Sequence, residues 1–154
     1  MKSKLTFERK KLRKDQKYSS SRDRKYIDFI IDGVPLSELL GGVGYNIGKF
    51  GWGNNIKFEL SELEDFKTAH KSRLDNGLFS IYVCPECGDE GCGAIMFEIK
   101  MTESTVIWDN FVWGDGYHES EENPHERIDI KPIIFNKNEY YTSISELERM
   151  IIDR

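Results

Sequence analysis

The sequence predicts an α+β fold, with a single antiparallel sheet (a meander) packed against two helices. Apolar residues alternate with polar ones in several stretches, as in half-buried strands. Two stretches of helical spacing each follow a capping-box motif. The strand-like stretches are closely connected, which favours antiparallel neighbours. With 154 residues, 38% of them hydrophobic, the chain is long enough for one domain with a substantial core.

The strand predictions rest on period-two alternation and on β-branched and aromatic residues. Asp32-Gly33 closes the first strand, and a turn at 102–104 separates two later ones. Pro132 interrupts the last extended stretch, which indicates an edge strand. The predicted strands cover residues 26–32, 79–83, 95–101 and 106–113, with further extended structure over 128–135.

The helix predictions rest on the Ser-x-x-Glu pattern of a capping box. Ser61–Glu64 predicts a helix to about Leu74, and Ser143–Glu146 predicts a terminal helix. One or two helical turns are predicted at 36–40, stopped by two glycines. The inward-facing residues are predicted to be Leu63, Phe66, His70 and Leu74 on the first helix, and Ile144, Leu147 and Ile151 on the second.

Charge is distributed unevenly along the chain. Residues 1–25 hold eleven Lys and Arg against three acidic residues, a formal charge of +8, so that −13 remains for residues 26–154. We interpret residues 1–25 as a flexible or partly helical basic arm and residues 26–154 as a single α+β domain. The arm could contact nucleic acid or an anionic surface, fold against its own acidic body, or stay solvated.

The chain has the features of a cytoplasmic protein. No apolar run approaches the roughly 20 residues of a membrane-spanning helix, and no apolar stretch follows the charged N-terminus as in a secretory signal. Its three cysteines are an odd number and lie close together, which favours reduced thiols or metal ligation over a disulfide framework.

All three cysteines lie in the stretch CPECGDEGCG, residues 84–93. Cys84-x-x-Cys87 has the spacing of a zinc half-site. Together with Cys92 it follows the first three ligands of a zinc knuckle, C-x-x-C-G-x-x-G-H-x-x-x-x-C, with Cys92 in the histidine place. The fourth ligand would fall on Phe97, so the motif is incomplete.

The fold would have to supply the fourth zinc ligand. His118 or His125 in the acidic loop 114–126 is a candidate, as are His70, a water molecule and another subunit. The alternative is a glycine-rich hairpin loop whose thiols bind nothing. Three carboxylates in the loop would repel phosphates, so the loop itself is not expected to contact nucleic acid; they are Glu86, Asp89 and Glu90.

The glycine-rich stretch 41–53 lacks the spacing of a dinucleotide-binding loop. Three aromatic residues lie among its glycines: Tyr45, Phe50 and Trp52. They could form a contact surface, or they could pack back onto the sheet.

A further pattern lies in the second half of the chain. The loop Cys87-Gly-Asp-Glu-Gly-Cys-Gly-Ala94 lies between two predicted strands, the next strand contains a V-x-W motif at 106–108, and Phe135 and Tyr140 come later. This order resembles a family of uncharacterised bacterial proteins marked by a C-G-D-x-G-C-G-A hairpin loop. The match spans residues 26–154, with its most specific part at 78–113. The resemblance implies a bacterial, cytosolic protein and no particular activity.

Three functional hypotheses follow. The first is a non-catalytic binding module with a protein partner and a Cys-rich loop stapled by zinc. The second is an immunity- or inhibitor-type protein whose acidic body binds a basic toxin. The third is a thiol-dependent enzyme, which would need a depressed thiol pKa, whereas the neighbouring acids favour a raised one. No serine has a nucleophile-elbow context, so the sequence offers no catalytic residue.

Overall fold

A computed structural model describes residues 2–12, 23–69, 72–74 and 76–153. The strands are β1 (Leu5–Leu12), β2 (Arg24–Ile31), β3 (Val34–Pro35), β4 (Ile47–Gly48), β5 (Phe79–Val83), β6 (Ala94–Met101), β7 (Thr105–Gly114), β8 (Glu126–Arg127) and β9 (Ile133–Asn136). The helices are α1 (Leu36–Leu39), α2 (Ile56–Thr68) and α3 (Lys137–Ile152). In these residues no helix is long and apolar enough to cross a membrane.

The α+β class and the antiparallel meander β5-β6-β7 are confirmed, but the prediction of a single sheet is wrong. A three-stranded sheet has the order β1-β2-β3, and a six-stranded sheet has the order β4-β5-β6-β7-β8, with β9 also paired to β7. Register shifts in β5 and β6 interrupt the regular pairing of the larger sheet, as β-bulges do. Three helices, rather than two, accompany the sheets in the described residues.

Two short bridges join the sheets around one core. The Ile27 amide donates to the Phe50 carbonyl at 2.8 Å, and the Ser3 amide donates to the Ile134 carbonyl at 2.6 Å. The first bridge places β2 beside β4, and the second places the start of β1 beside β9. The inner faces of both sheets therefore bury their apolar residues in a common interior.

The first half of the basic arm is a strand rather than a flexible or helical segment. β1 pairs with β2 along its whole length, from Leu5–Ile31 to Leu12–Arg24, so the predicted boundary at residue 25 falls inside β2. Lys10 makes an ion pair with the buried Asp28 at 3.4 Å. The Arg9 guanidinium donates to the Met150 carbonyl at 2.8 Å, near the end of α3. These residues fold against the acidic body, and residues 13–22 lie outside the described part.

Both capping-box predictions are wrong, because asparagines upstream begin the helices. The Asn55 side chain accepts from the Phe58 amide, and the Asn136 side chain accepts from the Glu139 amide, as good N-caps do. Ser61 instead lies inside α2 and donates to the Phe58 carbonyl. Ser143 lies inside α3, where its hydroxyl donates to the Leu5 carbonyl of β1.

The predicted end of the first helix is also wrong. Helix α2 ends at Thr68, with Ala69 in the left-handed conformation (φ 51°), so Leu74 is not helical. His70, predicted on its inner face, lies outside the described residues.

Aromatic residues from distant parts of the chain fill the centre of the core. Trp108 is fully buried, and its ring lies 4.8 Å from Phe97 and 5.1 Å from Phe135 between centroids. Phe66 of α2 packs edge-on against it at 6.0 Å. The residues Trp108, Phe135 and Tyr140, quoted for the family resemblance, are therefore mutual neighbours in the core.

Candidate metal centre and the adjoining cleft

The cysteine loop is the tip of the hairpin between β5 and β6. Cys84 follows β5 directly, its carbonyl accepts from the Gly88 amide at 2.8 Å, and Glu90–Cys92 form a 3-10 turn. The Asp89 side chain begins that turn by accepting from the Gly91 amide. Gly88 and Gly93 have φ values of +67° and +97°, which glycine adopts most readily. The loop sequence thus folds the chain back sharply enough to bring the thiols together.

The three sulfur atoms converge on one point. The Sγ atoms of Cys84, Cys87 and Cys92 all lie within 4.8 Å of one another, and those of Cys87 and Cys92 are 2.9 Å apart. A tetrahedral zinc ion with Zn–S bonds of about 2.3 Å spaces its sulfurs by about 3.8 Å. Cys87 and Cys92 are exposed, so the loop can widen by the remaining ångström. The thiols fit three of the four positions around such an ion.

The thiols influence one another's protonation. Burial raises the pKa of the Cys84 thiol, but hydrogen bonds from the amides of Cys87 and Glu86 and from the other two thiols outweigh it, so the pKa is lowered. Burial and the hydrogen bond with Cys92 raise the pKa of Cys87 to about 12. A cation between the sulfurs would favour the thiolate of each, since the thiolate is the ligand.

Neither predicted histidine joins this cluster. Within the described residues, the group of side chains that could hold a metal ion consists of the three cysteines. His118 and His125 instead line a separate cavity of about 500 Å³ beside β6–β8, together with Glu119 and Arg127. The imidazole of His125 is buried against Gly114. Phe97, which stands at the fourth knuckle position, is fully buried and stacks on Phe111 at 5.0 Å.

Side chains from other elements hold the loop in place. Arg24 of β2 donates to the Pro85 carbonyl at 2.8 Å, and its guanidinium lies 4.7 Å from the centre of the Trp52 ring. A Cβ at Gly88 would lie only 3.1 Å from the Trp52 ring, so Gly88 allows the loop backbone to rest on that indole. The Asn46 amide donates to the Gly93 carbonyl at 3.2 Å on the other side.

The aromatic residues of stretch 41–53 have three different environments. Phe50 is fully buried in the core and Tyr45 is 56% exposed. Trp52 is half-buried under the cysteine loop, with its indole N–H donating to the Gly48 carbonyl at 2.8 Å. The stretch therefore packs Phe50 back onto the sheet, as the second interpretation had it, and supports the candidate metal centre through Trp52.

A ring of charged and polar side chains lies beneath the loop. Lys49 donates to Glu62 at 3.0 Å and to the Ser80 hydroxyl at 3.1 Å. Ser80 donates to Glu90 at 2.6 Å. Arg73 closes the ring by donating to Glu90 at 2.6 Å and to Glu62 at 3.0 Å. Because Glu90 belongs to the cysteine loop, this ring attaches the loop to helix α2.

Sequence reasoning missed this ring, although two signals were present. Glu59 and Glu62 are seven and four residues before Phe66, so they share the inner face of α2 and are buried there. Ser80 interrupts an otherwise apolar strand and is also buried. Buried polar groups require partners, so these residues indicated that partners exist. The partners, Lys49 and Arg73, lie in loops, and no periodic pattern in the sequence predicts where a loop residue is placed.

A cleft opens between the cysteine loop and the start of α2. It has a volume of about 190 Å³ and is lined by Cys87 and Gly88 of the loop, by Trp52 and Phe58, and by charged side chains that include Lys49, Glu59 and Glu62. Glu59 accepts from the amides of Gly51 and Gly53 at 2.5 and 3.1 Å, which fixes the glycine-rich stretch. One of the three thiols, that of Cys87, therefore belongs to the lining of a cleft that is both charged and aromatic.

Stability should depend on pH through Glu62. Burial raises the pKa of its carboxyl, but Lys49 and Arg73 outweigh it and hold the pKa below its usual value. The stabilisation by the ionised carboxylate is therefore complete above about pH 4.3, the pKa of a glutamate in the unfolded chain. It is lost as the pH falls through the lower pKa of the folded state. We expect Glu62→Gln to flatten the rise of the unfolding free energy with pH below about pH 4.3, as measured by urea unfolding across a pH series. The control is Glu64→Gln, a substitution on the exposed face of α2. Equal slopes of unfolding free energy against pH in the two variants would refute the assignment of this pH dependence to Glu62.

Comparison with known proteins leaves the site to be interpreted from its geometry. No protein-family model, curated protein or solved structure matches the chain. The resemblance to bacterial proteins with a C-G-D-x-G-C-G-A loop stays a prediction.

Proposed function

We propose that the chain is a non-catalytic bacterial binding module whose cysteine loop is stapled by a zinc ion. The observation that carries this proposal is the convergence of three sulfur atoms within 4.8 Å at a hairpin tip. Thiolate sulfur is a preferred zinc ligand, and the loop offers three of them on a framework held by Arg24, Trp52 and Glu90. Zinc would fix the loop as a rigid platform.

The three-thiol set leaves one position of a tetrahedral ion to another ligand. Water or a group from a partner could take it, because Cys87 and Cys92 are exposed. The described residues place no histidine in the cluster, so the proposed staple does not use His118 or His125. Structural zinc sites are usually closed by four protein ligands, so a partner's side chain would complete this one.

The charge around the loop favours a protein partner with a basic surface. Glu86 and Asp89 are exposed beside the thiols, and thiolates would add further negative charge. Such a surface repels phosphates and attracts cationic side chains, which speeds and orients association. The same chemistry would serve an immunity-type protein, and in both proposals the loop is the contact surface.

The metal proposal predicts one zinc ion per chain. We expect protein purified without added zinc and then titrated with Zn²⁺ to bind one equivalent, as measured by calorimetry and by elemental analysis after gel filtration. Cys87→Ser should weaken binding by more than about 100-fold, since removal of a ligand costs more than removal of an outer partner. The double variant His118→Ala/His125→Ala should bind zinc as the unaltered chain does. Absence of stoichiometric zinc in the reduced, unaltered chain would refute the proposal.

A further inference from the structure

We propose that Cys87 and Cys92 form a reversible disulfide, so that oxidation empties the metal centre and changes the shape of the loop. This inference rests on the proposed metal centre and concerns its regulation. It assigns unequal roles to the three thiols: two are the redox pair, and Cys84 is a ligand that stays reduced.

The geometry selects the pair. The sulfur atoms of Cys87 and Cys92 are 2.9 Å apart, whereas a disulfide bond is about 2.05 Å long, so an approach of less than about 1 Å joins them. Both side chains are exposed and Cys84 is half-buried, so a small oxidant in solution meets the pair first. Exposure and thiolate character are the two features that make a thiol susceptible to oxidation. In the zinc-loaded chain all three sulfurs would be thiolates, so exposure is the feature that distinguishes them.

The backbone around the pair also permits the closure. The pair encloses Gly88 and Gly91 and is followed by Gly93, and glycine tolerates the changes in φ and ψ that the approach requires. Cys84 lies directly after β5, whose position the sheet determines. The loop can therefore tighten between residues 87 and 92 while Arg24 continues to hold Pro85.

A peroxide is the class of oxidant that the step requires. The sulfur of one cysteine attacks a peroxide oxygen, the O–O bond breaks, and a sulfenic acid and one water form. The second thiol then attacks the sulfenic sulfur, the S–O bond breaks, and hydroxide leaves as water with the thiol proton. Two thiols have lost two electrons, and one hydrogen peroxide has become two waters. Exchange with an external dithiol reverses the step.

Oxidation removes two of the three sulfur ligands together. A disulfide sulfur carries no thiolate charge, and the thiolate is the form that binds metal. Cys84 alone cannot retain the ion, so metal release follows from one two-electron step, and a Cys87–Cys92 crosslink takes the place of the three-sulfur metal site. Partner binding through the loop would then depend on the redox state of the compartment.

The test uses the zinc-loaded, full-length chain and hydrogen peroxide as the probe. Released zinc is followed with a chromophoric chelator, remaining thiols are counted with a thiol reagent, and the modified residues are located by peptide mass mapping without reduction. We expect one zinc released for each two thiols lost, a Cys87–Cys92 crosslink, an unmodified Cys84, and recovery of all thiols and of zinc binding after dithiothreitol. A crosslink that includes Cys84, or oxidation to sulfinic acid without a crosslink, would overturn the assignment.

The variant Cys84→Ser separates the two proposals. It keeps the exposed pair, so the crosslink should form at a rate within about threefold of that in the metal-free unaltered chain, even though the variant lacks a zinc ligand. Zinc binding without a crosslink in the unaltered chain would refute the redox proposal alone. A crosslink in a chain that never binds zinc would refute the metal centre alone.

Discussion

Replacing Glu62 with alanine is expected to lower the free energy of unfolding by about 3–5 kcal/mol, the usual cost of breaking a buried ion pair from one side. Glu62 is 5% exposed and accepts from both Lys49 and Arg73. The Lys49 side chain is only 9% exposed, so without Glu62 its ammonium would stay buried, keep the Ser80 hydroxyl as a hydrogen-bond partner and lose the carboxylate that it contacts. Chemical denaturation at neutral pH measures the loss.

Two further variants show that the loss comes from the unpaired charge. Glu64→Ala, at an exposed position of the same helix, should change stability by no more than about 0.5 kcal/mol. The double variant Lys49→Met/Glu62→Leu should recover most of the loss, because an apolar pair of similar volume leaves neither member of the ion pair buried alone, while Glu90 keeps Arg73 and Ser80 as partners. A double variant as unstable as Glu62→Ala would contradict this account.

Trp108→Ala is the second large effect, with an expected loss of about 3–5 kcal/mol, as is typical for truncating a buried tryptophan. Trp108 is fully buried and contacts rings from five elements, so the cavity would be lined by side chains that the sheets and helices hold apart. Those rings belong to Phe29, Phe66, Phe97, Phe135 and Tyr140. Equilibrium unfolding with urea measures the loss, which is a large share of the 5–15 kcal/mol typical of a domain.

The matched control for Trp108 is phenylalanine at the same position. Trp108→Phe keeps an aromatic ring against Phe97 and should lose clearly less stability than the alanine variant, since the cavity is smaller. It also removes the indole N–H that lies 3.4 Å from the Tyr140 hydroxyl. Because Tyr140 donates to the Phe66 carbonyl at 2.6 Å, its hydroxyl keeps a partner. Equal losses in the two variants would show that Trp108 does not act through its volume.

Local patterns predicted much of the fold. The strands β5, β6 and β7 follow from period-two alternation over 79–83, 95–101 and 106–113, and their antiparallel order follows from short connections. The cysteine cluster was also predictable, because nine consecutive positions hold all three thiols and a hairpin tip keeps neighbours in sequence close in space. These features depend on contacts between residues that are separated by no more than about 20 positions in the sequence.

The helix starts differ from the capping-box predictions, because an asparagine upstream of each serine caps the helix. Asn55 and Asn136 begin the helices, while Ser61 and Ser143 satisfy their hydroxyls on carbonyl groups inside them. The Ser143 bond reaches Leu5, at the other end of the chain. The contact between Ser143 and Leu5 forms only in the packed structure, so the isolated segment of α3 does not reveal that Ser143 is used in this way.

The sequence by itself determined that three thiols would meet in a glycine-shaped hairpin tip at the end of an antiparallel meander. The tertiary structure decided that His118 and His125 line a different cavity, that β1 closes a second sheet, and that Lys49, Arg73 and two glutamates form a ring beneath the loop. The physical reason is the separation along the sequence of the residues that must meet. A hairpin is specified by neighbouring residues, whereas a fourth ligand or a buried ion pair depends on where distant segments come together around the core.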